Sequence, residues 1–444
     1  MFRRRFIAPA SIVAVGLVVV LALAGALAAR LLPGSVADVD TDKLAAGAIF
    51  AGSYLALAVG KVPGLSIDRA GVALVGAALM VASGALQLDE AYKAIDLDTI
   101  TLLLGMMIMV ANLRLSGFFA LVSAWVMRRA HRPTILLAAV IATSGVFSAF
   151  LVNDAMCLVL APLVLELTIA MGRRPLPYLL AVAMASNVGS TATITGNPQN
   201  IMIGSFSQIP YADFARALAP VAFAGLLLTF ALIRLVHRSE FIAATTLKTA
   251  LPDVRTNRFL LWRAVSSTAV MVALFFAGQP PAKVAIVLGG LLLLTRRVKS
   301  ARIYAEIDWS LLLMFVGLFV IVAGAQHALL TPDVTAAAGR LHLDRVPVLS
   351  AVTAVLSNLV SNVPAVLVLK PFVAPLHNRD TAWLVIAMAS TLAGNFTVLG
   401  SIANLIVVQR AAQQGVAIGF WDYFRVGAPL TLLTLAIGTA WLSR

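Results

Sequence analysis

The chain has 444 residues, of which 61% are apolar and only 12% charged, with a formal net charge of +14 and a single cysteine. A soluble domain carries about a quarter of its residues as charges, so an ordinary soluble enzyme and a disordered chain are both excluded. One cysteine rules out an internal disulfide and a multi-thiolate metal site, and basic residues scattered between apolar runs argue for membrane topology rather than a nucleic-acid partner.

In chain order, Arg3, Arg4 and Arg5 precede an apolar run from Phe6 to Ala29. It exceeds the roughly 7 to 15 residues of a cleavable signal core and is expected to be an uncleaved first span. Further spans are expected near 44–60, 71–88, 99–115, 178–203, 219–236, 259–277, 283–296, 309–326, 381–408 and 426–442, eleven in all with the first. Runs of about 20 apolar residues indicate helices, not barrel strands. Two longer apolar stretches, 134–170 and 347–376, carry polar residues at their middle and are expected to be re-entrant hairpins. With the N-terminus in the cytoplasm, about 23 of the 33 Lys and Arg residues fall on the inner side, as the positive-inside rule requires. The inner clusters are Arg128, Arg129 and Arg132; Arg234, Arg238, Lys248, Arg255 and Arg258; and Arg296, Arg297, Lys299 and Arg302, all expected in solvated loops.

Three landmarks recur in one order. Asp98 with Leu102-Leu103 returns as Asp308 with Leu312-Leu313; Asn153 with Pro162 returns as Asn362 with Pro371; Ala185-Ser186, Thr193, Gly196 and Asn200 return as Ala389-Ser390, Thr397, Gly400 and Asn404. The offsets are 210, 209 and 204. Each half holds five ordinary spans, so the second enters from the opposite side and the pair forms inverted repeats, an arrangement found in secondary transporters. The expected organisation is 1–43 as first span and outer loop, 44–236 as the first repeat with hairpin 134–170, 237–258 as a cytoplasmic linker, and 259–444 as the second repeat with hairpin 347–376.

Backbone that leaves helical geometry in lipid needs protein, water or a ligand to replace its hydrogen bonds. Breaks are expected at Leu151–Asp154, at Ser361–Pro364, within the polar run Ser186–Asn200, and in its counterpart holding Ser390, Thr391, Gly394, Asn395, Thr397, Gly400, Ser401 and Asn404. Amide and hydroxyl oxygens with freed carbonyls can hold a cation, and half-helix N-termini can hold an anion. The candidate lining is Asn153, Asp154, Asn187, Ser190, Thr191, Thr193, Gly196, Asn197, Asn200, Ser361, Asn362, Asn395, Thr397 and Asn404. Asp154 is the one carboxylate expected at mid-membrane and is assigned to the coupling ion, as proton carrier or cation ligand. Arg114 is read as reaching the interface, Cys157 as core packing, and the five histidines as bystanders with no metal spacing. No cofactor is expected beyond sodium or a proton as coupling ion.

These residues resemble the ion transporter superfamily, and within it the arsenite/antimonite efflux permeases and related anion permeases, alongside the divalent anion/sodium symporters. The carriers are IDLDTITLLLGMMIM from Ile95, FLVNDAMCLVLAPLVL from Phe150, SNVGSTATITGNPQNIMIGS from Ser186, SNLVSNVPAVLVLKP from Ser357 and STLAGNFTVLGSIANLIV from Ser390. The resemblance implies an all-α polytopic fold with scaffold and transport domains, a homodimer, and elevator-like movement of a site held between two hairpin tips and two unwound helices. Symporters of this kind carry Ser-Asn-Thr at each tip; here the tips read Val152-Asn153-Asp154 and Ser361-Asn362-Val363. The added carboxylate resembles the arsenite and sodium/proton antiporter branches.

The expected function is therefore secondary transport of a small anion or metalloid oxyacid across the cytoplasmic membrane, coupled to protons or sodium. An ion channel and a sodium/proton antiporter of the same fold are the alternatives. An intramembrane enzyme would need a nucleophile with its base, or several carboxylates at one depth, which this chain lacks.

Overall fold

The computed structural model describes residues 41–59, 66–130, 132–242, 256–295, 298–329 and 340–444. The first span expected over Phe6–Ala29 lies outside the described residues, as do Lys248, Arg255, Arg296 and Arg297. No strand occurs among the described residues. The helices are α1 Thr41–Val59, α2 Arg69–Ala82, α3 Leu88–Ala94, α4 Leu97–Leu115, α5 Phe118–Arg129, α6 Pro133–Phe150, α7 Asn153–Ala170, α8 Pro175–Ser190, α9 Pro198–Ser207 and α10 Tyr211–Val236. They continue as α11 Arg238–Ile242, α12 Arg258–Phe276, α13 Pro281–Leu293, α14 Ser300–Tyr304, α15 Trp309–Leu329, α16 Val346–Val360, α17 Asn362–Val373, α18 Arg379–Ala393, α19 Ile402–Gln413 and α20 Phe420–Leu442.

Among the described residues, seven helices are long and apolar enough to cross a membrane: α4, α6, α7, α10, α12, α15 and α20. Shorter apolar helices accompany them, and the chain is a multi-pass membrane protein. Many starts are set by proline at the first helical position, where its missing N–H costs nothing: Pro133, Pro175, Pro198 and Pro281. Others are set by an asparagine side chain that accepts from the first turn, as Asn257 does from Leu260 and Asn378 from Thr381.

The described residues form two compact units, each drawing on both halves of the sequence. The first contains α1, α2, α3 and α15, with Asp308–Leu343 and Leu367–Pro375 among its segments. There α15 buries Phe315, Leu318 and Ile321, α2 buries Ala73 and Met80, and the two helices pack together. Leu86, Ala91 and Val320 form a smaller apolar cluster.

The second unit spans Thr101–Ile307, Asp344–Val366 and Leu376–Arg444. Along the chain one series of elements occurs twice, within this unit except for α17 from Leu367 onward: helix, tip, helix, then a helix interrupted by a 3-10 turn. The first series is α6, α7, α8, Ile194–Gly196 and α9; the second is α16, α17, α18, Val398–Gly400 and α19. The stretches expected as hairpins are thus the pairs α6–α7 and α16–α17. Every residue of α8 from Pro177 to Ser190 is buried. Gly189 lies so close to Gly145 that a Cβ would overlap the Gly145 carbonyl, so α8 and α6 meet backbone to backbone. Behind them, α20 ties into the unit through Thr431 Oγ1 donating to Leu392 O (3.3 Å) and Trp441 Nε1 donating to Ala217 O (2.9 Å).

Four described helices, α3, α5, α11 and α14, lie outside the expected spans, and Arg234, Arg238, Arg258 and Arg302, expected in loops, lie on helices α10, α11, α12 and α14. Phe118–Arg129 is helical, and Arg128 and Arg129 form its exposed last turn rather than a loop, a favourable place for cations at a helix C-terminus. The stretch expected as a linker begins as the short helix α11, tied to the start of α8: Glu240, buried, lies 3.8 Å from Arg173 and accepts from Tyr178 Oη at 3.3 Å.

Candidate functional site

Both interrupted helices stop and restart with the same backbone. After α8, Thr193 is extended (φ −140°, ψ 164°), Ile194–Gly196 makes a 3-10 turn, and Asn197 is extended again (φ −155°, ψ 163°) before Pro198 opens α9. After α18, Thr397 (φ −135°, ψ 167°), Val398–Gly400 and Ser401 (φ −145°, ψ 145°) repeat it, 204 positions on. Helical geometry is therefore lost through Gly196 and Gly400. Neither glycine tolerates a side chain: a Cβ on Gly196 would collide with the Ser190 carbonyl, and one on Gly400 would lie 2.7 Å from Gly394 O.

At each break one asparagine reaches two of the freed carbonyls, beside the turn's own N–H of Gly196 to Thr193 O (3.3 Å) or Gly400 to Thr397 O (3.1 Å) and, at the first break, Asn197 Nδ2 to Ser190 O (3.3 Å). Asn200 Nδ2 donates to Ser190 O (3.2 Å) and Thr193 O (3.0 Å), and Asn404 Nδ2 donates to Gly394 O (2.8 Å) and Thr397 O (3.1 Å). Each asparagine's oxygen then faces the other series. Asn404 Oδ1 accepts from Asn187 Nδ2 at 3.0 Å, and Asn200 Oδ1 faces Thr391 Oγ1 at 3.5 Å. Thr391 stands 204 positions after Asn187, so the contacts are exchanged between the halves. The residues before the restarts cross in the same way: Asn197 Nδ2 donates to Thr391 Oγ1 (3.1 Å) and Ser401 Oγ to Asn187 Oδ1 (3.2 Å). All these side chains are buried, where each satisfied polar group avoids a penalty of about 1 to 3 kcal/mol.

The hairpin tips also match. Val152 (φ 62°) and Ser361 (φ 78°) both take positive φ, 209 positions apart. For a β-branched valine this is an outlying conformation, with a strain of about 1 to 3 kcal/mol. Helices α7 and α17 restart immediately at Asn153 and Asn362. Asn153 Nδ2 donates to Asn187 Oδ1 (2.9 Å), while Asn153 Oδ1 is buried with no hydrogen-bond partner. Asn362 is closed by its own half. Two carbonyls, Ser390 O (3.2 Å) and Gly400 O (3.3 Å), face the end of its side chain that therefore carries the amide nitrogen, with Ser357 Oγ at 2.6 Å. Ser357 Oγ donates onward to Ser390 O at 3.0 Å. Ser148, the counterpart of Ser357 at offset 209, is buried with an unpartnered hydroxyl, as are Ser144 and its counterpart Thr353.

The expected site residues all fall in the second unit. Asn153 and Asp154 form the first tip; Asn187 and Ser190 end α8; Thr191, Thr193, Gly196 and Asn197 make the first break; Asn200 opens α9. Ser361 and Asn362 form the second tip, Asn395 and Thr397 the second break, and Asn404 lies in the first turn of α19. Hydrogen bonds join Asn153, Asn187, Asn395 and Asn404 into one buried network and Ser190, Asn197 and Asn200 into another. Thr191 Oγ1 turns back on Asn187 O (3.2 Å), and Thr193 Oγ1 donates to Ala149 O, fastening the first break to α6. Thr397 contributes its carbonyl. Asp154 is half-buried in the first turn of α7, where the helix dipole favours a carboxylate.

Arg114 pairs with Glu306 at 2.5 Å on a partly exposed surface. Cys157 Sγ lies 2.9 Å from Ser186 Oγ in a buried contact. Three contributors stand outside the candidate lining, although Gln199 and Thr391 fall within the two expected breaks. Gln199 Nε2 donates to Thr391 Oγ1 (3.2 Å), Thr391 serves as the second crossing point, and Tyr423 Oη reaches Asn395 Oδ1 (3.4 Å). Carrying Asn187 forward by 204 positions would have found Thr391; nothing local marks Tyr423.

An uncharacterized transporter of Mycobacterium tuberculosis is 30% identical over 421 residues, covering 89% of this chain and 96% of its own. The silicon efflux transporter LSI3 of Oryza sativa subsp. japonica is 29% identical over 469 residues, covering 89% and 97%. In fold, the chain is similar to the Alcanivorax borkumensis YdaH transporter, with a TM-score of 0.57 over 90% of this chain and 97% of that one at 15% identity. Residues 54–393, well over half of the length, match the family described as CitMHS, citrate transporter, and the chain belongs to that family of the ion transporter superfamily, as a membrane transporter of the anion permease type and not an enzyme.

Proposed function

We propose that the protein is a secondary active transporter of a small anion or metalloid oxyacid in the cytoplasmic membrane, coupled to protons or sodium, with its N-terminus inside. The observation that carries this reading is the pair of matched breaks whose freed carbonyls are capped by Asn200 and Asn404 and whose side chains cross between the halves. Broken helices facing one another are the usual setting of a transported ligand, and inverted repeats give two access states by exchange of conformation. Residues 44–236 and 259–444 are the two repeats, and the hairpin tips with the two breaks form the element that moves, in a homodimer whose scaffold stays fixed.

The coupling ion belongs at the first tip, where Asn153 Oδ1 is buried and unpartnered and Asp154 adds a carboxylate. A buried carbonyl oxygen without a donor favours a cation. The family's description, citrate transporter, and the rice relative's name, silicon efflux transporter, bracket the substrate as a small oxygen-rich acid.

The test is flux in proteoliposomes. An imposed proton or sodium gradient should drive uphill movement of citrate, silicic acid or arsenite, and Asp154→Asn should change the ion dependence. Saturable uphill flux separates a carrier from a channel; sodium/proton exchange with none of these substrates moving would establish the antiporter instead.

A further inference from the structure

We propose that Asn187 is a positioning residue that carries the state of the first hairpin tip to the second break, and that it does not itself hold the transported ligand. The inference rests on the transport reading above and assigns how its coupling is transmitted.

A side-chain amide has two acceptor sites on oxygen and two N–H donors, and Asn187 uses all four. Its Oδ1 accepts from Asn153 Nδ2 (2.9 Å) and Ser401 Oγ (3.2 Å); its Nδ2 donates to Asn395 Oδ1 (2.9 Å) and Asn404 Oδ1 (3.0 Å). The side chain is only 1% exposed. A ligand could be held there only by breaking one of these bonds.

The partners divide unequally. One, Asn153, is the first tip, and the other three surround the second 3-10 turn, with Asn395 before it and Ser401 and Asn404 after it. Asn153 has its remaining acceptor, Oδ1, buried and unpartnered. A cation or proton donor arriving at that oxygen polarises the Asn153 amide and strengthens its N–H bond to Asn187, and hydrogen bonds in a chain reinforce one another.

The opposite route is absent from the hydrogen bonds at the second tip. Asn362 closes on Ser357, Ser390 O and Gly400 O of its own half. Thr391, the counterpart of Asn187, receives Asn197 and Gln199 and faces Asn200. The hydrogen bond of Asn153 therefore reaches the second break through one amide, beside the direct packing of α7 on α19.

The second break is also where a reporter can be placed, because Leu399 in its 3-10 turn is 74% exposed. With the single cysteine removed as Cys157→Ser, Leu399→Cys in the full-length protein in lipid nanodiscs is labelled with an uncharged maleimide. Labelling is compared in sodium chloride against choline chloride at fixed pH, and across pH in choline chloride. We expect a change in rate of about fivefold or more with sodium or with pH, loss of that dependence in Asn187→Ala, and a reduced dependence in Asn187→Thr, which imitates Thr391. The thermal shift produced by the same ion should persist in both variants, since the first tip still binds. An Asn187→Ala response equal to that of the parent overturns the inference, as does a parent that transports uphill while its reporter ignores both ions. If Asn187→Ala does not fold, Asn187→Thr decides by the same criterion. A parent without ion-driven uphill flux overturns the transport reading itself.

Discussion

At the first hairpin tip Asn153 bonds to a side chain, Asn187, that crosses to the second break, and keeps one oxygen open; at the second tip Asn362 turns onto the backbone of Ser390 and Gly400 in its own half. The backbones are alike, with positive φ at Val152 and Ser361. Exposure differs in the opposite sense around two asparagines that are both buried: Leu151 and Val152 are buried, whereas their counterparts Val360 and Ser361 are half-buried and Asn358 and Leu359 are exposed. Matched backbone geometry therefore does not imply matched chemistry. The tip that is sealed from the surroundings has unfilled polar valences, and the accessible one has satisfied its own.

The sharpest test of the shared geometry is a methyl group on each turn glycine. Gly196→Ala drives a Cβ into the Ser190 carbonyl, among neighbours that are buried through Asn200, and should cost about 3 kcal/mol or more. Gly400→Ala meets Gly394 O at 2.7 Å, beside Leu399 at the exposed end of the turn, and should cost about 1 to 3 kcal/mol. Thermal unfolding in lipid should rank them in that order; equal and negligible effects would mean that the breaks are not held as tightly as the contacts require.

The capping asparagines come next. Asn404→Ala takes the side-chain donor from Gly394 O and leaves an Asn187 N–H without its acceptor, while Thr397 O keeps the Gly400 N–H (3.1 Å); after Asn200→Ala, Ser190 O keeps Asn197 Nδ2 (3.3 Å), Thr193 O keeps the Gly196 N–H (3.3 Å), and a 3.5 Å contact to Thr391 is lost. Asn404→Ala should cost about 2 to 4 kcal/mol and Asn200→Ala about 1 kcal/mol less. An inverse ranking would place the stronger crossing at Thr391.

Serines one turn before the tips separate the open tip from the closed one. Ser357→Ala removes the hydroxyl between Asn362 and Ser390 O and should cost about 1 to 2 kcal/mol. Ser148→Ala deletes a buried hydroxyl that has no partner, so in sodium-free buffer it should change stability by less than about 0.5 kcal/mol or increase it. A large loss on Ser148→Ala in that buffer would show that its oxygen is already engaged.

Much of this was legible in the residues. Small polar residues inside apolar runs located both breaks, because lipid gives backbone no other reason to tolerate Gly-Asn-Pro, and the offset of 204 paired Asn200 with Asn404 before any coordinates. An offset states which residues correspond, not which ones touch. That Asn404 answers to Asn187 and Asn200 to Thr391 is a tertiary fact. The helix Phe118–Arg129 was hidden because its arginines read as a loop, although cations suit a helix C-terminus. Asp154 set the first tip apart from the second, with its Val363, but which asparagine is open and which is closed was not legible, since both tips present one. Nor does Val152 announce its backbone: a β-branched residue in an apolar run signals a regular element, and only packing on all sides holds it at positive φ.

That strain supports the finest comparison. Glycine adopts positive φ without steric cost, so Ser361→Gly, at a half-buried position, should relieve strain and stabilise the protein by about 0.5 to 1 kcal/mol. Val152→Gly gains the same relief but removes a side chain only 3% exposed, a loss of about 1.5 to 3 kcal/mol. The melting temperature should therefore rise for Ser361→Gly and fall for Val152→Gly. Were both to fall by similar amounts, strain at the second tip would be negligible, and the positive φ there would be a relaxed feature of the turn. Were both to rise, the Val152 side chain would contribute little packing, and the contrast between a sealed first tip and an accessible second one would lose its energetic basis.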